Sequence, residues 1–119
     1  MRILVNHLTR MEKGYICVAG IDIKTANHVR PVLGGRLSTD LLARNGGPFD
    51  IACVVALGPT THVGSPPEME DYKFDPQKAS CLRVASPNKF WELLKQSANV
   101  EEIYEKSVNA GIISKSEGE

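Results

Sequence analysis

The sequence predicts an α+β fold, a strand-rich N-terminal unit followed by a helical tail. Three observations predict it. Short β-branched and aliphatic runs, punctuated by glycine, proline and asparagine, fill residues 1–85. After Ser86 the apolar period becomes helical. A chain of 119 residues, 42% hydrophobic and 24% charged, has the size and composition of one domain. Residues 1–85 are therefore expected to form a small β-barrel-like unit. Residues 86–119 are expected to be a helical tail packed on it, within a single domain overall.

Residues 1–8 are aliphatic and unbroken, as a first strand is. Residues 9–14 are polar and close on Gly14, which suits a turn. Residues 15–23 are apolar at almost every position, rich in β-branched side chains and too short for a typical helix. They read as a strand covered on both faces. Residues 24–27 are a hairpin connection, and residues 28–33 the returning strand. Pro31 lacks an N–H and belongs at a sheet edge, a bulge or a strand end. Ser38 is an N-cap candidate ahead of helix formers reaching Arg44, and Asn45-Gly46-Gly47 supplies a stop, so a two-turn helix is expected. Residues 51–57 are another buried strand, ended by Gly58-Pro59. Residues 60–77, rich in proline and acids, read as an irregular loop with one short strand, and residues 81–84 as a last strand.

In the tail, Ser86-Pro87 is a cap and first-turn pair, and Phe90, Trp91 and Leu94 share a helix face. Asn99 caps a second helix, with Glu102 at the capping-box position and Val100, Ile103, Tyr104 and Val108 at helical spacing. Gly111 ends it, and residues 115–119 should fray. Five or so strands with a short helix between the third and fourth are the outline of a small barrel, OB-like or a related Greek key.

The formal net charge is zero, which weighs against strong non-specific nucleic-acid binding. Residues 1–50, however, carry seven Lys and Arg against four acids. That asymmetry offers either a modest anion-attracting face or solvated charge spread round a barrel. No apolar run approaches the length of about 18 that a membrane helix needs, and the N-terminal apolar stretch is too short for a signal peptide. The three cysteines, Cys17, Cys53 and Cys81, are odd in number, far apart and set among apolar residues, so reduced buried thiols are expected. A cytoplasmic protein without membrane association fits.

The familiar catalytic motifs are missing from the sequence: no phosphate loop, no dinucleotide fingerprint, no His-Glu-x-x-His, no Cys-x-x-Cys. His7, His28 and His62 have no ligand spacing to one another or to the cysteines, so no metal, cofactor or catalytic residue is expected. Gly20, in a strand of bulkier residues, marks a bulge, a barrel corner or close approach by another backbone or a ligand. Arg30 stands in an apolar strand, which arginine avoids unless paired or at a site. Asp22 is its expected partner, nearly opposite across the hairpin, and whether the two share a face depends on loop parity. Arg30 is thus either half of an ion pair or a fork for a phosphate or carboxylate. Gly34, Gly35 and Arg36, just before a helix start, form either an anion-binding nest or a plain loop. Stacking aromatics outside the tail are few, namely Tyr15, Tyr72 and Phe74, which argues against an RNA platform of the usual aromatic kind.

The ordered set Cys17-Val18-Ala19-Gly20, Val29-Arg30-Pro31-Val32 and Gly34-Gly35-Arg36-Leu37-Ser38 resembles the prokaryotic dual OB-containing domain proteins over residues 1–85. In that family a cysteine/alanine/glycine strand precedes a hairpin returning through a tryptophan-isoleucine-arginine-proline signature. The stretch from Pro66 to Tyr72 is similar to the family's following proline- and glutamate-containing segment. Here His28 stands where the tryptophan is usual, which removes a stacking residue. The chain is also too short for two complete barrels, leaving one barrel with a helical tail or a shortened chain. The resemblance implies a nucleic-acid-associated role by fold analogy. The expected function is non-enzymatic binding of an anionic ligand, foremost nucleic acid, by Arg30, Arg36, Gly34, Gly35, His28 and Tyr15. The alternative is a homodimer or protein-partner module using residues 86–110. An enzyme of small nucleotides using His28 or His62 ranks last.

Overall fold

Strand alternation divides the side chains of residues 1–85 between two faces of one sheet, and that division places everything else. The computed structural model describes residues 1–66 and 69–109, with 100–109 as backbone. Strands β1 (Arg2–Arg10), β2 (Tyr15–Asp22) and β3 (His28–Val32) form an antiparallel meander. Strand β4 (Leu37–Ser38) pairs with the start of β2. Strand β5 (Cys53–Ala56) lies against the first half of β1, and the outer edge of β5 takes the strand that follows the proline-rich loop. Within that loop, β6 (Thr61–His62) and β7 (Asp71–Lys73) form two short strands where one was expected, β7 running parallel to β3. Strand β8 (Ser80–Val84) completes the order β6-β7-β3-β2-β1-β5-β8.

The sheet is not closed into the expected barrel. Strand β1 uses one edge for β2 and the other for β5, and β8 occupies the edge of β5 that remains. Closure would need β8 to pair with β6; no such pairing forms among the described residues, so the sheet ends at those two strands.

One face holds the main core. Ile3, Val5, Val18, Val29 and Val55 point into it and meet Leu37, Leu42, Phe49, Leu57 and Phe74 from the connecting segments. Phe49 and Phe74 pack edge to face at 5.7 Å. The opposite face carries Leu4 beside Ile21 and Val54. It is covered by the helix α1 (Pro87–Asn109), whose Leu93 shares a cleft with Leu4 and Val54. Each such fully buried aliphatic side chain contributes about 1.5–3 kcal/mol. Between Val5 and His7 the β1–β2 register slips at a bulge, and the buried Oδ1 of Asn6 has no hydrogen-bond partner among the described residues. At Gly20 the expected close approach is real: a Cβ there would meet the Leu4 carbonyl oxygen at 2.8 Å.

Several expectations need correction. The two-turn helix over residues 38–44 is instead two 3-10 turns, Thr39–Leu41 and Ala43–Asn45, separated by Leu42 in an extended conformation. Ser38 does cap the first, accepting the Asp40 N–H. Burial of Leu42 and Phe49, which bridge each other there, outweighs helix propensity. The tail is one helix and not two; Asn99 does not break it. Trp91, expected on its packed face, is 62% exposed, while Phe90 is half-buried. Of the cysteines, only Cys53 is buried; Cys17 is half-buried and Cys81 exposed. The expected side-chain stripe at Val100, Ile103, Tyr104 and Val108, the capping role of Glu102, the stop at Gly111 and the fraying of residues 115–119 lie outside the described residues. No helix among the described residues is long and apolar enough to cross a membrane.

Candidate ligand face

The β1–β2 register beyond the bulge sets His7 opposite Ala19 and Thr9 opposite Cys17. Ile16 and Val18 point into the core, so Tyr15, Cys17 and Ala19 line the outer face. His7 and Thr9 there are exposed and joined by a 2.9 Å hydrogen bond between the ring Nε2 and the hydroxyl. Tyr15 ends this row. Its strand partner is Ser38, and Arg36 reaches back from the preceding loop so that its guanidinium lies 5.4 Å from the centre of the Tyr15 ring. That is a cation–π pair. Arg36, Gly34 and Gly35 are all exposed. Neither glycine has a positive φ, and a Cβ on either would meet nothing within 4 Å. The fold itself does not require glycine at these two positions.

The other predicted site residues go elsewhere. The expected Asp22–Arg30 pair does not form. Asp22 Oδ1 accepts the N–H groups of Lys24 and Thr25 at 2.8 and 3.4 Å and shapes the hairpin turn. Arg30 instead forks onto Asp71, Nε to Oδ1 at 2.6 Å and Nη2 to Oδ2 at 2.8 Å. The register explains the change. His28 lies opposite Ile21, so Arg30 falls three positions away from Asp22 across the hairpin, whereas the parallel β3–β7 ladder sets Arg30 beside Asp71. His28 sits beneath α1, its Nε2 3.0 Å from the hydroxyl of Ser97, which is 2% exposed. Ile21 is six residues along β2 from Tyr15, so His28 is about 20 Å from the Tyr15–Arg36 pair. The structure therefore brings Tyr15, Gly34, Gly35 and Arg36 together and leaves Arg30 and His28 apart from them.

Sequence reasoning missed Asp71 as the partner of Arg30, 41 residues away. It also missed Arg10 and Arg44, which line one notch of about 150 Å³ at the same end of the sheet. The surplus of basic residues in the first half was the one available signal. A larger cleft of about 400 Å³ lies between α1 and β8, floored by Leu4, Val54 and Leu93. It is the roomier hollow, but its floor is apolar and it lies away from the Tyr15–Arg36 end. Among the described residues no group of three or more His, Cys, Asp and Glu side chains comes together to hold a metal.

A meander with a parallel return on its third strand, followed by a helix over the outer face, is joined by a family match. The model of the dual OB-containing domain matches residues 1–117. The chain belongs to that family. No curated protein and no solved structure matches it. The dual OB-containing match takes in α1 as well as the sheet, beyond the residues that carry the sequence resemblance.

Proposed function

We propose that this dual OB-containing domain is a small, non-enzymatic, cytoplasmic binding domain whose ligand is nucleic acid, held on the outer face at the Tyr15 end of the sheet. One observation carries the reading. A guanidinium held over an aromatic ring in a cation–π pair comes from the same loop as two exposed glycines that the fold does not require. An aromatic plane and an arginine plane together accept a base by stacking, and glycines without side chains let a ligand reach the backbone N–H groups. OB domains are recurrent binders of oligonucleotides, which supports the same reading by analogy. Arg30 contributes less than its sequence context promised, because its fork is engaged by Asp71.

Fluorescence anisotropy with labelled single-stranded DNA, single-stranded RNA and duplex DNA, at low and physiological salt, tests it. Single strands should bind, more weakly as salt rises, and the variant Y15A/R36A should bind about tenfold more weakly still. Absence of binding at low salt would remove the reading.

A second reading rests on exposed apolar side chains. Trp91 on α1 is 62% exposed and Val84, the last residue of β8, 69%. They favour a homodimer or protein partner through residues 86–110. Sedimentation of the whole chain against Trp91→Ala separates the two, since the outer-face reading expects no change in mass.

A further inference from the structure

Arg10 and Arg44 come from separate segments to one notch on the core side of the sheet. Arg10 is the last residue of β1, paired across to Ile16, so it shares the core side of the sheet with Leu8, while the neighbouring Tyr15 faces the outer side. Arg44 lies in the 3-10 turn Ala43–Asn45. Both line the notch of about 150 Å³, whose walls are Leu8, Leu42 and Phe49 and whose rim includes Asp50. Neither guanidinium has a hydrogen bond or ion pair among the described residues, while Asp50 Oδ1 accepts the Ile51 N–H at 2.8 Å. Two cations and one anion thus share a depression with apolar walls. Two cations there attract an anion, and the Asp50 carboxylate at the rim offsets only part of that attraction.

The turn that carries Arg44 is held in place. The Ala43 N–H donates to the Phe49 carbonyl at 2.8 Å, and Asn45 Nδ2 to the Thr39 carbonyl at 2.8 Å. Gly46 takes the left-handed conformation that ends the turn, at φ 90°. A Cβ on Gly47 would overlap the Leu41 carbonyl, so only glycine fits. Arg44 is therefore presented from a fixed backbone, which lowers the ordering cost of binding. The notch is smaller than the roughly 300–1,000 Å³ that encloses a whole small molecule, so it suits one group of a larger ligand. Two forks of N–H donors match the oxygens of a phosphate.

We propose that the notch between Arg10 and Arg44 takes one phosphate of a nucleic-acid strand that passes round the end of β1 from the Tyr15–Arg36 face. The assignment rests on the nucleic-acid reading of the outer face, and two measurements keep the two separable. In the first, labelled (dT)15 binds the whole chain, R10Q/R44Q and R10K/R44K at three salt concentrations. R10Q/R44Q should bind about tenfold more weakly at low salt, with a salt slope shallower by about 0.7, the share of one phosphate on a single strand. R10K/R44K keeps the charge but loses the fork, and should recover the slope with only part of the affinity. Both side chains are exposed, so the fold should survive, which a thermal melt verifies.

In the second, inorganic pyrophosphate is titrated into the whole chain while the arginine Nε–H signals are followed by NMR. Those of Arg10 and Arg44 should move together and saturate, and those of Arg2 and Arg83 should not. If (dT)15 binds, R10Q/R44Q binds it equally well and pyrophosphate leaves both signals still, the notch is refuted and the outer-face reading stands. If (dT)15 fails to bind but pyrophosphate moves both signals, the notch is a phosphate site and the nucleic-acid reading fails.

Discussion

Arg36 lies over the ring of Tyr15, its guanidinium carbon 5.4 Å from the ring centre. The two side chains come from different segments. Tyr15 starts β2 and is half-buried, so its plane is fixed; Arg36 comes from an exposed loop and can shift when a base arrives. Tyr15→Ala should therefore weaken single-strand binding by about 1–3 kcal/mol, the worth of one base stacked on an aromatic ring. Tyr15→Phe keeps the π-face and should bind nearly as the parent does. Anisotropy titrations of both variants decide this. Equal losses in the two would point to the hydroxyl and not the ring. Folding stability should move by no more than about 0.5–1 kcal/mol, since the pair is at an exposed site.

The Arg30–Asp71 fork does different work. It joins β3 to β7, a parallel ladder of three residue pairs, and the Arg30 N–H adds a 2.8 Å bond to the Glu70 carbonyl. So short a strand has little burial of its own to hold it. Arg30→Ala and Asp71→Ala should each destabilise the domain by about 1–3 kcal/mol in urea melts, and the double variant should lose hardly more than either one. Additive losses would mean the two groups contribute independently. Arg30→Glu sets two carboxylates side by side and should cost more than Arg30→Ala, with nucleic-acid affinity of the folded fraction little changed.

The strands and the switch to a helical tail were legible in the sequence because burial imposes periodicity, and periodicity survives in one dimension. Val18 and Val29 declare a core face through their neighbours, and Ser86-Pro87 declares a helix start. What was not legible depends on distance along the chain. Asp71 meets Arg30 across 41 residues of intervening sequence, through a parallel pairing that no local pattern encodes. Leu42 looked like part of a helix because its neighbours are helix formers, yet its bridge to Phe49 pulls it into an extended conformation. The pairing of β5 with β8 is long-range in the same way: residues 81–84 read as a strand, but nothing local says which strand they join. Of the ligand face, Gly34, Gly35 and Arg36 could be picked out from composition. Their coupling to Tyr15 required the β2–β4 pairing.

Gly34 and Gly35 offer a test in which fold and function should move in opposite directions. A Cβ at either position meets open space and neither backbone needs a positive φ. Gly34→Ala/Gly35→Ala should leave stability unchanged or raise it by about 0.4–1 kcal/mol, by restricting the unfolded chain. Binding should fall, because the added methyl groups stand where a ligand approaches the backbone. Denaturant melts and anisotropy on the same preparation read both effects. A variant that is more stable and binds equally well would assign the glycines to loop flexibility alone.

Cys53 and Cys81 are diagonal neighbours across the β5–β8 ladder, in unequal surroundings. Cys81 is opposite Val55, on the same side as Cys53, and is exposed, while Cys53 is buried in the core. Burial, with the Cys81 thiol beside it, pushes the Cys53 thiol up to about 12. Alkylation of the native protein at pH 8 should therefore label Cys81 quickly, the half-buried Cys17 more slowly and Cys53 hardly at all, as peptide mass spectrometry will show. The raised value also fixes a pH dependence. The folded state holds the Cys53 proton where the unfolded chain has already released it, so this contribution is fully present below the ordinary thiol range and is lost as pH rises towards 12. Parent and Cys53→Ala should accordingly show stability curves that converge between about pH 9 and 12, with lysine and tyrosine titration common to both. Labelling of Cys53 as fast as Cys81 would mean that β8 leaves β5 on the labelling timescale. The core beneath that edge would then be open to solvent, and the parent's stability would lose its excess slope as well.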